Sequence, residues 1–178
     1  PDGGFKGMLK GEIKPYNFDG KTYAFVFPIK SNKDIYNFET EFTIPDEHLW
    51  WPVDLGEPNL YQMKLFFTPE GFGEHNGSFK AFKFGIRTIE VGPLPDGPRP
   101  DLYNWTFIIN GRKTFIKGTG WCTSDAMLDF PKDKLERFLL MARDQHCQML
   151  RAWGCGMPET DDFYDCCDAL GILVLQEW

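Results

Sequence analysis

Residues 113–178 read KTFIKGTGWCTSDAMLDFPKDKLERFLLMARDQHCQMLRAWGCGMPETDDFYDCCDALGILVLQEW, and this stretch decides the fold. It alternates strand, helix, strand, helix and strand, a pattern typical of a parallel α/β sheet or barrel. A (β/α)₈ barrel needs eight strands and roughly 250 residues. With only three strands here, we expect the first part of a longer protein whose remaining groups lie beyond Trp178.

Start and stop signals bound the two helices of this stretch. Pro131 suits a first helical turn, and apolar residues recur at three- and four-residue spacing over 131–147, which predicts one buried face. Thr160 is placed to cap the second helix and Gly171 to end it. The run 172–175 is apolar throughout, which predicts a strand buried on both faces.

The chain before this stretch is predicted to be all-β. Residues of strand composition, several alternating between apolar and polar, recur in short segments separated by turn signals. These segments are 7–15, 22–29, 35–44, 60–68 and 79–91. Short strands at this spacing indicate a β-sandwich.

A proline-rich stretch separates the two parts. Residues 92–101 contain prolines at alternate or near-alternate positions. Because proline removes amide donors and stiffens the chain, this stretch is predicted to be a linker or a long turn. We therefore predict a sandwich over 1–98 and the α/β part over 99–178. Just after the linker, Asn110 and Gly111 stand between two apolar runs and predict a β-hairpin.

Charge and cysteine usage exclude several functional classes. The formal net charge of −7 argues against nucleic acid or an anionic membrane as partner, and no apolar run is long enough to span a bilayer. All five cysteines follow residue 120 without a CxxC pair, and the three histidines are scattered. We therefore predict free buried thiols, with no metal site and no cofactor.

An ordered set of short motifs runs from about residue 40 to the end of the chain. They are WP (51–52), PNLY (58–61), FGIRTI (84–89), FIINGR (107–112), FIKG (115–118), Trp121, MLRAWG (149–154), FYD (163–165), LG (170–171) and QEW (176–178). In this order they resemble glycoside hydrolase family 2, and within it the β-mannosidase and exo-β-glucosaminidase branch. The resemblance implies an immunoglobulin-like sandwich followed by the N-terminal part of a (β/α)₈ TIM barrel.

The resemblance also implies an activity, the hydrolysis of terminal β-linked sugars with retention of configuration. Such chemistry uses two carboxylates about 5 Å apart. In the family the acid/base follows the fourth barrel strand and the nucleophile the seventh, so we expect both beyond Trp178 and assign no catalytic residue within the chain. The implied partner is an oligosaccharide or glycoside substrate, and a periplasmic or secreted location follows by analogy alone.

Five residues are implied to bind the substrate. Arg151 and Trp153, two residues apart on one strand, point to the same side; the resemblance places Arg151 in the sugar pocket near the nucleophile, and the alternative is a structural ion pair. Trp121 is implied to stack on the sugar or to pack the barrel mouth. Asp125 could bind sugar hydroxyls or be a loop carboxylate, and Glu177 could bind substrate or orient Arg151.

A second hypothesis stays open, because sandwiches and barrels host many unrelated functions. It is a non-catalytic carbohydrate-binding or spacer sandwich with a remnant barrel segment. Under either hypothesis the chain alone is expected to be inactive, and we expect it to self-associate, since three barrel strands leave an unpaired edge and an open apolar face. The carboxylates at 159–165 are interpreted as complements to the positive end of the second helix.

Overall fold

The structure, a computed structural model, describes residues 5–31, 39–71, 77–94, 105–122 and 125–178. Within these ranges the chain is mostly β-sheet with two helices. It forms two compact units, which combine Pro1–Glu47 with Leu60–Phe84 and His48–Asn59 with Gly85–Trp178. The boundary predicted between residues 98 and 99 lies outside the described residues.

The first unit contains a four-stranded antiparallel sheet in the order β2-β1-β3-β4. Its strands are β1 (Phe5–Pro15), β2 (Tyr23–Ser31), β3 (Tyr61–Pro69) and β4 (Ser78–Phe84). The strands predicted at 7–15, 22–29 and 60–68 are thereby confirmed. Their alternating aromatic and β-branched residues fit a pleated surface with one covered face.

The strand predicted at 35–44 is wrong over 39–44, which has no strand structure, and residues 35–38 lie outside the described residues. The Phe42 ring lies 6.1 Å from the Tyr23 ring and 5.4 Å from the Phe25 ring. Side-chain packing therefore attaches this segment to the sheet without strand pairing. Pro45 follows at once and could not donate to a ladder.

The strand predicted at 79–91 is two strands that belong to different units. Residues 78–84 form β4, and Ile89–Pro93 forms β5 of the second unit. Between them Ile86 forms a bridge with Leu49, and the Trp50 amide donates to the Ile86 carbonyl at 2.9 Å. Pairing with Leu49 and Trp50, from an earlier part of the chain, thus divides a run in which apolar and polar residues alternate.

An antiparallel sheet of three strands, in the order β5-β6-β7, opens the second unit. Strands β6 (Trp105–Ile109) and β7 (Arg112–Thr114) are joined through Asn110 and Gly111, whose φ angles are 49° and 76°. Both turn residues are left-handed, as a two-residue hairpin requires, so the predicted hairpin is confirmed.

A parallel sheet follows, in the order β10-β9-β8. Its elements are β8 (Gly118–Trp121), α1 (Lys132–Asp144), β9 (Met149–Ala152), α2 (Asp161–Leu170) and β10 (Leu173–Gln176). The predicted alternation of strand and helix is confirmed. Neither of the described helices has the length and apolar character to cross a membrane.

The helices pack on one face of the parallel sheet and form the core of this unit. Leu135 and Leu139 of α1, Leu150 of β9 and Phe163 of α2 are buried in one cluster. Gly171 ends α2 in the left-handed conformation with φ 73°, as predicted. This face positions the strands, and the opposite face carries most of the predicted site.

Two details of the predicted α/β part are corrected. Leu175 is 47% exposed, so β10 is not buried on both faces; no described element covers its second face. Thr160 occupies the N-cap position of α2, but its side chain makes no capping hydrogen bond. Asp161 and Asp162 in the first turn complement the helix dipole instead.

Candidate functional site

The carboxyl ends of the three parallel strands meet at one edge of the sheet. Gly120, Arg151 and Leu175 lie side by side in register across β8, β9 and β10. Register neighbours share a face, and Leu150, one residue before Arg151, is buried against the helices. Arg151 therefore points to the face away from the helices, which we call the open face.

Arg151 is held on the open face by Glu177. Its Nε donates to Glu177 Oε1 at 2.6 Å, and its Nη2 contacts the same oxygen. The Gly154 amide donates to the other oxygen, Oε2, at 3.2 Å. The guanidinium thus has a fixed carboxylate partner while the side chain stays 56% exposed.

The same donors set the protonation of Glu177. The Gly154 amide and then the Arg151 guanidinium hold the pKa of the Glu177 carboxyl below its usual range. The carboxylate is therefore ionised at neutral pH and remains a partner for Arg151. Orientation of Arg151, one of the two roles predicted for Glu177, is compatible with this geometry.

This ion pair makes stability depend on pH. Because the pKa of Glu177 is lower in the folded chain, its contribution is present above the ordinary glutamate pKa of roughly 4.3 and is lost as pH falls through the folded value. We expect wild type to exceed Glu177→Gln in denaturant midpoint at neutral pH, and the two midpoints to converge in acid. A gap that is constant with pH would contradict this linkage.

Trp153 lies on the same face, over a glycine. A Cβ built on Gly120 would fall 2.7 Å from the Trp153 Nε1 and 3.0 Å from its ring carbons. The indole therefore occupies the space that any larger residue at position 120 would need. Trp153 is 41% exposed, so part of an aromatic ring beside Arg151 is open to solvent.

We expect Gly120→Ala to displace the Trp153 indole and to cost about 1–3 kcal/mol through overpacking. Denaturant unfolding measures the cost, and tryptophan fluorescence reports the displacement. The matched control is Gly120→Ala combined with Trp153→Ala, in which the added methyl meets no ring and its cost should disappear. An equal cost in both backgrounds would show that backbone strain, not the indole, is responsible.

Trp121 is not brought together with Arg151 and Trp153. It is in register with buried Ala152 and its ring lies 5.1 Å from that of Phe163 in α2, on the helix side of the sheet. Its Nε1 donates to Glu159 Oε1 at 2.8 Å. The partner is a residue that sequence reasoning assigned to the helix dipole alone.

One feature of the sequence, the position of Glu159 along the chain, could have indicated a role for it in the site. It lies in the loop between β9 and α2, on the side of the sheet where parallel α/β folds place their sites. Without the register of β8 against β9, nothing in the sequence directs Trp121 toward that loop.

Asp125 is occupied within its own loop and helix. Lys134 of α1 contacts its Oδ2, and the Met127 amide donates to its Oδ1 at 2.7 Å. These two interactions, the lysine first, hold the pKa of Asp125 below its usual range. The carboxylate is an ionised loop anchor, and its contacts run to α1 rather than to the Arg151–Glu177 pair.

The described residues contain no group of three or more His, Cys, Asp or Glu side chains that could hold a metal ion. The five cysteines are free thiols, and the predicted burial holds for Cys147, Cys166 and Cys167 but is wrong for Cys122 and Cys155, which are exposed. Burial raises the pKa of the Cys166 and Cys167 thiols, so both stay neutral. Of the five predicted site residues, Arg151, Glu177 and Trp153 are the ones that the structure brings together on the open face.

Known proteins resemble the chain in sequence. Residues 4–87 match the sequence profile described as glycosyl hydrolases family 2. Mannosylglycoprotein endo-beta-mannosidase of Lilium longiflorum is 32% identical over 143 residues, which cover 78% of the chain and 14% of that protein. Beta-mannosidase B of Emericella nidulans is 33% identical over 141 residues, which cover 79% of the chain and 16% of that protein. The chain thus spans about a seventh to a sixth of the length of these relatives.

Solved structures resemble the fold. The beta-D-mannosidase from Dictyoglomus thermophilum has a TM-score of 0.68 at 24% identity, over 96% of this chain and 20% of that one. A beta-glucuronidase of Parabacteroides merdae has a TM-score of 0.70 at 20% identity, over 95% of this chain and 19% of that one. These likenesses concern the fold, and the sequence matches carry the relationship. On these findings the chain belongs to glycosyl hydrolases family 2.

Proposed function

We propose that the chain is part of a retaining exo-β-glycosidase that removes terminal β-linked sugars, β-mannoside-like, from oligosaccharides. The observation that carries the proposal is Arg151, fixed by Glu177 and Gly154 on the open face at the carboxyl ends of parallel strands. The sequence relatives, one named an endo-beta-mannosidase and one a beta-mannosidase B, support a β-mannoside as the bond that is cleaved. Both catalytic carboxylates are proposed to lie outside these 178 residues.

We further propose that β8, β9 and β10 are the first three strands of a (β/α)₈ barrel that follows an immunoglobulin-like sandwich. The parallel order with helices on one face supports this reading. In a closed barrel the open face becomes the interior, whose upper end holds the active site. On this proposal, Leu175 and Arg151 are exposed in this chain because they belong to a surface that lies inside the closed barrel.

The proposed role of Arg151 is to hold the nucleophilic carboxylate. Glu177 and Arg151 share one oxygen, so guanidinium N–H donors remain for a second acceptor. A guanidinium that donates to a carboxylate keeps it ionised and oriented for attack at the anomeric carbon. Retention follows from two successive displacements, a covalent glycosyl-enzyme and then its hydrolysis.

Trp153 is proposed to supply the apolar contact of the sugar site. Its half-exposed indole lies on the face that carries Arg151, and an aromatic face suits the apolar side of a pyranose. Trp121 and Asp125 are proposed to contribute from the surrounding loop and the helix side. Their contacts with Glu159 and Lys134 make support of that loop the part of their role that the geometry favours.

The test is a panel of 4-nitrophenyl β-glycosides with the full-length natural protein. We expect the β-mannoside to be hydrolysed with the highest kcat/KM and the product to keep the β configuration when first released, as proton NMR measures. The 178-residue chain alone is the control and should release no nitrophenol. Oligosaccharide binding without hydrolysis of any glycoside would refute the enzyme and favour the non-catalytic binding module. Turnover by the isolated chain would refute our placement of the carboxylates.

A further inference from the structure

We propose that Tyr164 and Gln176 are positioning residues that fix the backbone of Glu177 and, through it, Arg151. The inference rests on the proposed function, in which Arg151 serves the nucleophile. Both residues lie in motifs that carry the family resemblance, FYD and QEW, but the sequence assigned neither of them a role. Both lie on the helix side of the sheet, opposite the face on which they are proposed to act.

A continuous chain of contacts joins α2 to Arg151. The Tyr164 hydroxyl donates to Gln176 Oε1 at 2.8 Å, and Gln176 Nε2 donates to the Glu177 carbonyl at 2.7 Å. The Glu177 carboxylate in turn accepts from Arg151 Nε at 2.6 Å. A side chain of the helix is therefore linked to the guanidinium on the other face of the sheet through three hydrogen bonds.

Hydrogen-bond chemistry fixes the direction of this chain. A backbone carbonyl only accepts, so the Gln176 amide must turn its NH₂ toward Glu177, and its oxygen then faces Tyr164. The Tyr164 hydroxyl must therefore donate. Burial raises the pKa of Tyr164, and the Glu159 charge raises it further, so the proton stays in place.

The Tyr164 hydroxyl matters for the orientation of the Gln176 amide, because it is one of the two groups to which that amide is hydrogen-bonded. An amide bonded at both ends has one orientation, whereas an amide bonded only to Glu177 can rotate or flip. Glu177 directly follows β10, and its amide donates to the Ala152 carbonyl at 3.0 Å. The Gln176 side chain holds its carbonyl, and the carboxylate that orients Arg151 moves with this backbone.

Tyr164 cannot act on the substrate directly. It is partly buried on α2, with its ring 5.3 Å from that of Phe163 in the core. The open face lies across the sheet from it. An effect of Tyr164 on catalysis would consequently have to pass through Gln176.

The experiment compares Tyr164→Phe with wild type in the full-length protein, using the preferred aryl β-glycoside. We expect kcat to fall about tenfold while KM changes little, because Arg151 is proposed to act in the transition state. The matched control is Tyr23→Phe, which removes a hydroxyl that donates to the Pro45 carbonyl at 2.7 Å in the first unit. Its kcat should equal that of wild type.

A second variant separates positioning from loss of a core contact. Gln176→Glu keeps the size of the side chain and can accept from Tyr164, but an ionised carboxylate cannot donate to the Glu177 carbonyl. We expect it to lose as much kcat as Tyr164→Phe. In a Glu177→Gln background, Tyr164→Phe should lower kcat by less than about twofold. The Glu177 carboxylate, through which Tyr164 is proposed to act, is already replaced in that background.

The same double-mutant cycle is measured on denaturant midpoints of the full-length protein, a measurement that needs no activity. Tyr164→Phe and Glu177→Gln are expected to be non-additive there. Additive midpoints, or a kcat for Tyr164→Phe within twofold of wild type, would overturn the positioning role. A wild-type protein that hydrolyses no glycoside would instead refute the proposed function, and the midpoints would still decide the coupling.

Discussion

Arg151→Ala in the full-length protein should lower kcat/KM for the preferred β-glycoside at least about a hundredfold. Removing one preorganised donor of an oxyanion hole costs about 10²–10³ in rate, and we expect a loss of similar size for the guanidinium proposed to orient the nucleophile. Glu177, itself held by the Gly154 amide, keeps this guanidinium in place before substrate arrives. Arg151→Lys should recover little, because an ammonium cannot reproduce the planar fork. Steady-state kinetics measure the effect.

The control for this prediction is another arginine of the same unit. Arg137 on α1 is exposed and lies 3.7 Å from Asp133, an ion pair that contributes little at a surface. Arg137→Ala should leave kcat/KM within twofold of wild type. If Arg151→Ala retained a tenth or more of the wild-type activity, Arg151 would be a structural ion-pair partner and not a group of the active site.

Trp50→Ala is expected to destabilise the 178-residue chain by about 3–5 kcal/mol. The indole is 1% exposed, its Nε1 donates to the Asp168 carbonyl at 2.8 Å, and the Arg87 guanidinium lies 4.8 Å from its ring centroid. Alanine removes the buried ring, the hydrogen bond and the cation–π contact together. The lost burial and the remaining cavity dominate this cost.

Denaturant unfolding of the same chain measures the effect, with Trp178→Ala as the matched control. Trp178 is 98% exposed, so its removal should change the free energy of unfolding by less than about 0.5 kcal/mol. Equal midpoints for Trp50→Ala and Trp178→Ala would mean that Trp50 is not buried in the folded chain in solution.

Features that depend on local signals could be predicted from the sequence. The helices and the parallel strands were predictable because apolar spacing and terminal residues agree, as at Gly171. The Asn110–Gly111 turn needed two left-handed residues, which its composition allows. The resemblance to a family added a prediction of the fold type to these predictions of single elements, because its motifs occur in a fixed order.

Features that depend on distant partners could not be predicted. The run 79–91 has the composition of one strand, but Leu49 and Trp50 pair with Ile86 in its middle and divide it. Likewise, the exposure of Leu175 depends on what covers the sheet and not on its own apolar neighbours. In each case tertiary contacts override a local propensity.

The candidate site likewise has features that local signals predict and features that depend on distant partners. That Arg151 and Trp153 share a side follows from strand alternation alone, and Glu177 was a predicted partner of Arg151. The contact of Trp153 with Gly120 needed the register of β8 against β9. For Trp121 the resemblance implied stacking on the sugar or packing of the barrel mouth, and its contacts with Phe163 and Glu159 could not be predicted without the register.

The buried position of Trp50 has a consequence for synthesis on the ribosome. Its indole donates to a carbonyl 118 residues later in the chain. At about 5–20 residues per second, the tryptophan emerges roughly 6–24 s before its partner emerges. During that interval a large apolar ring stands in solvent, and the nascent chain is open to chaperones, or to a wrong partner, until α2 arrives.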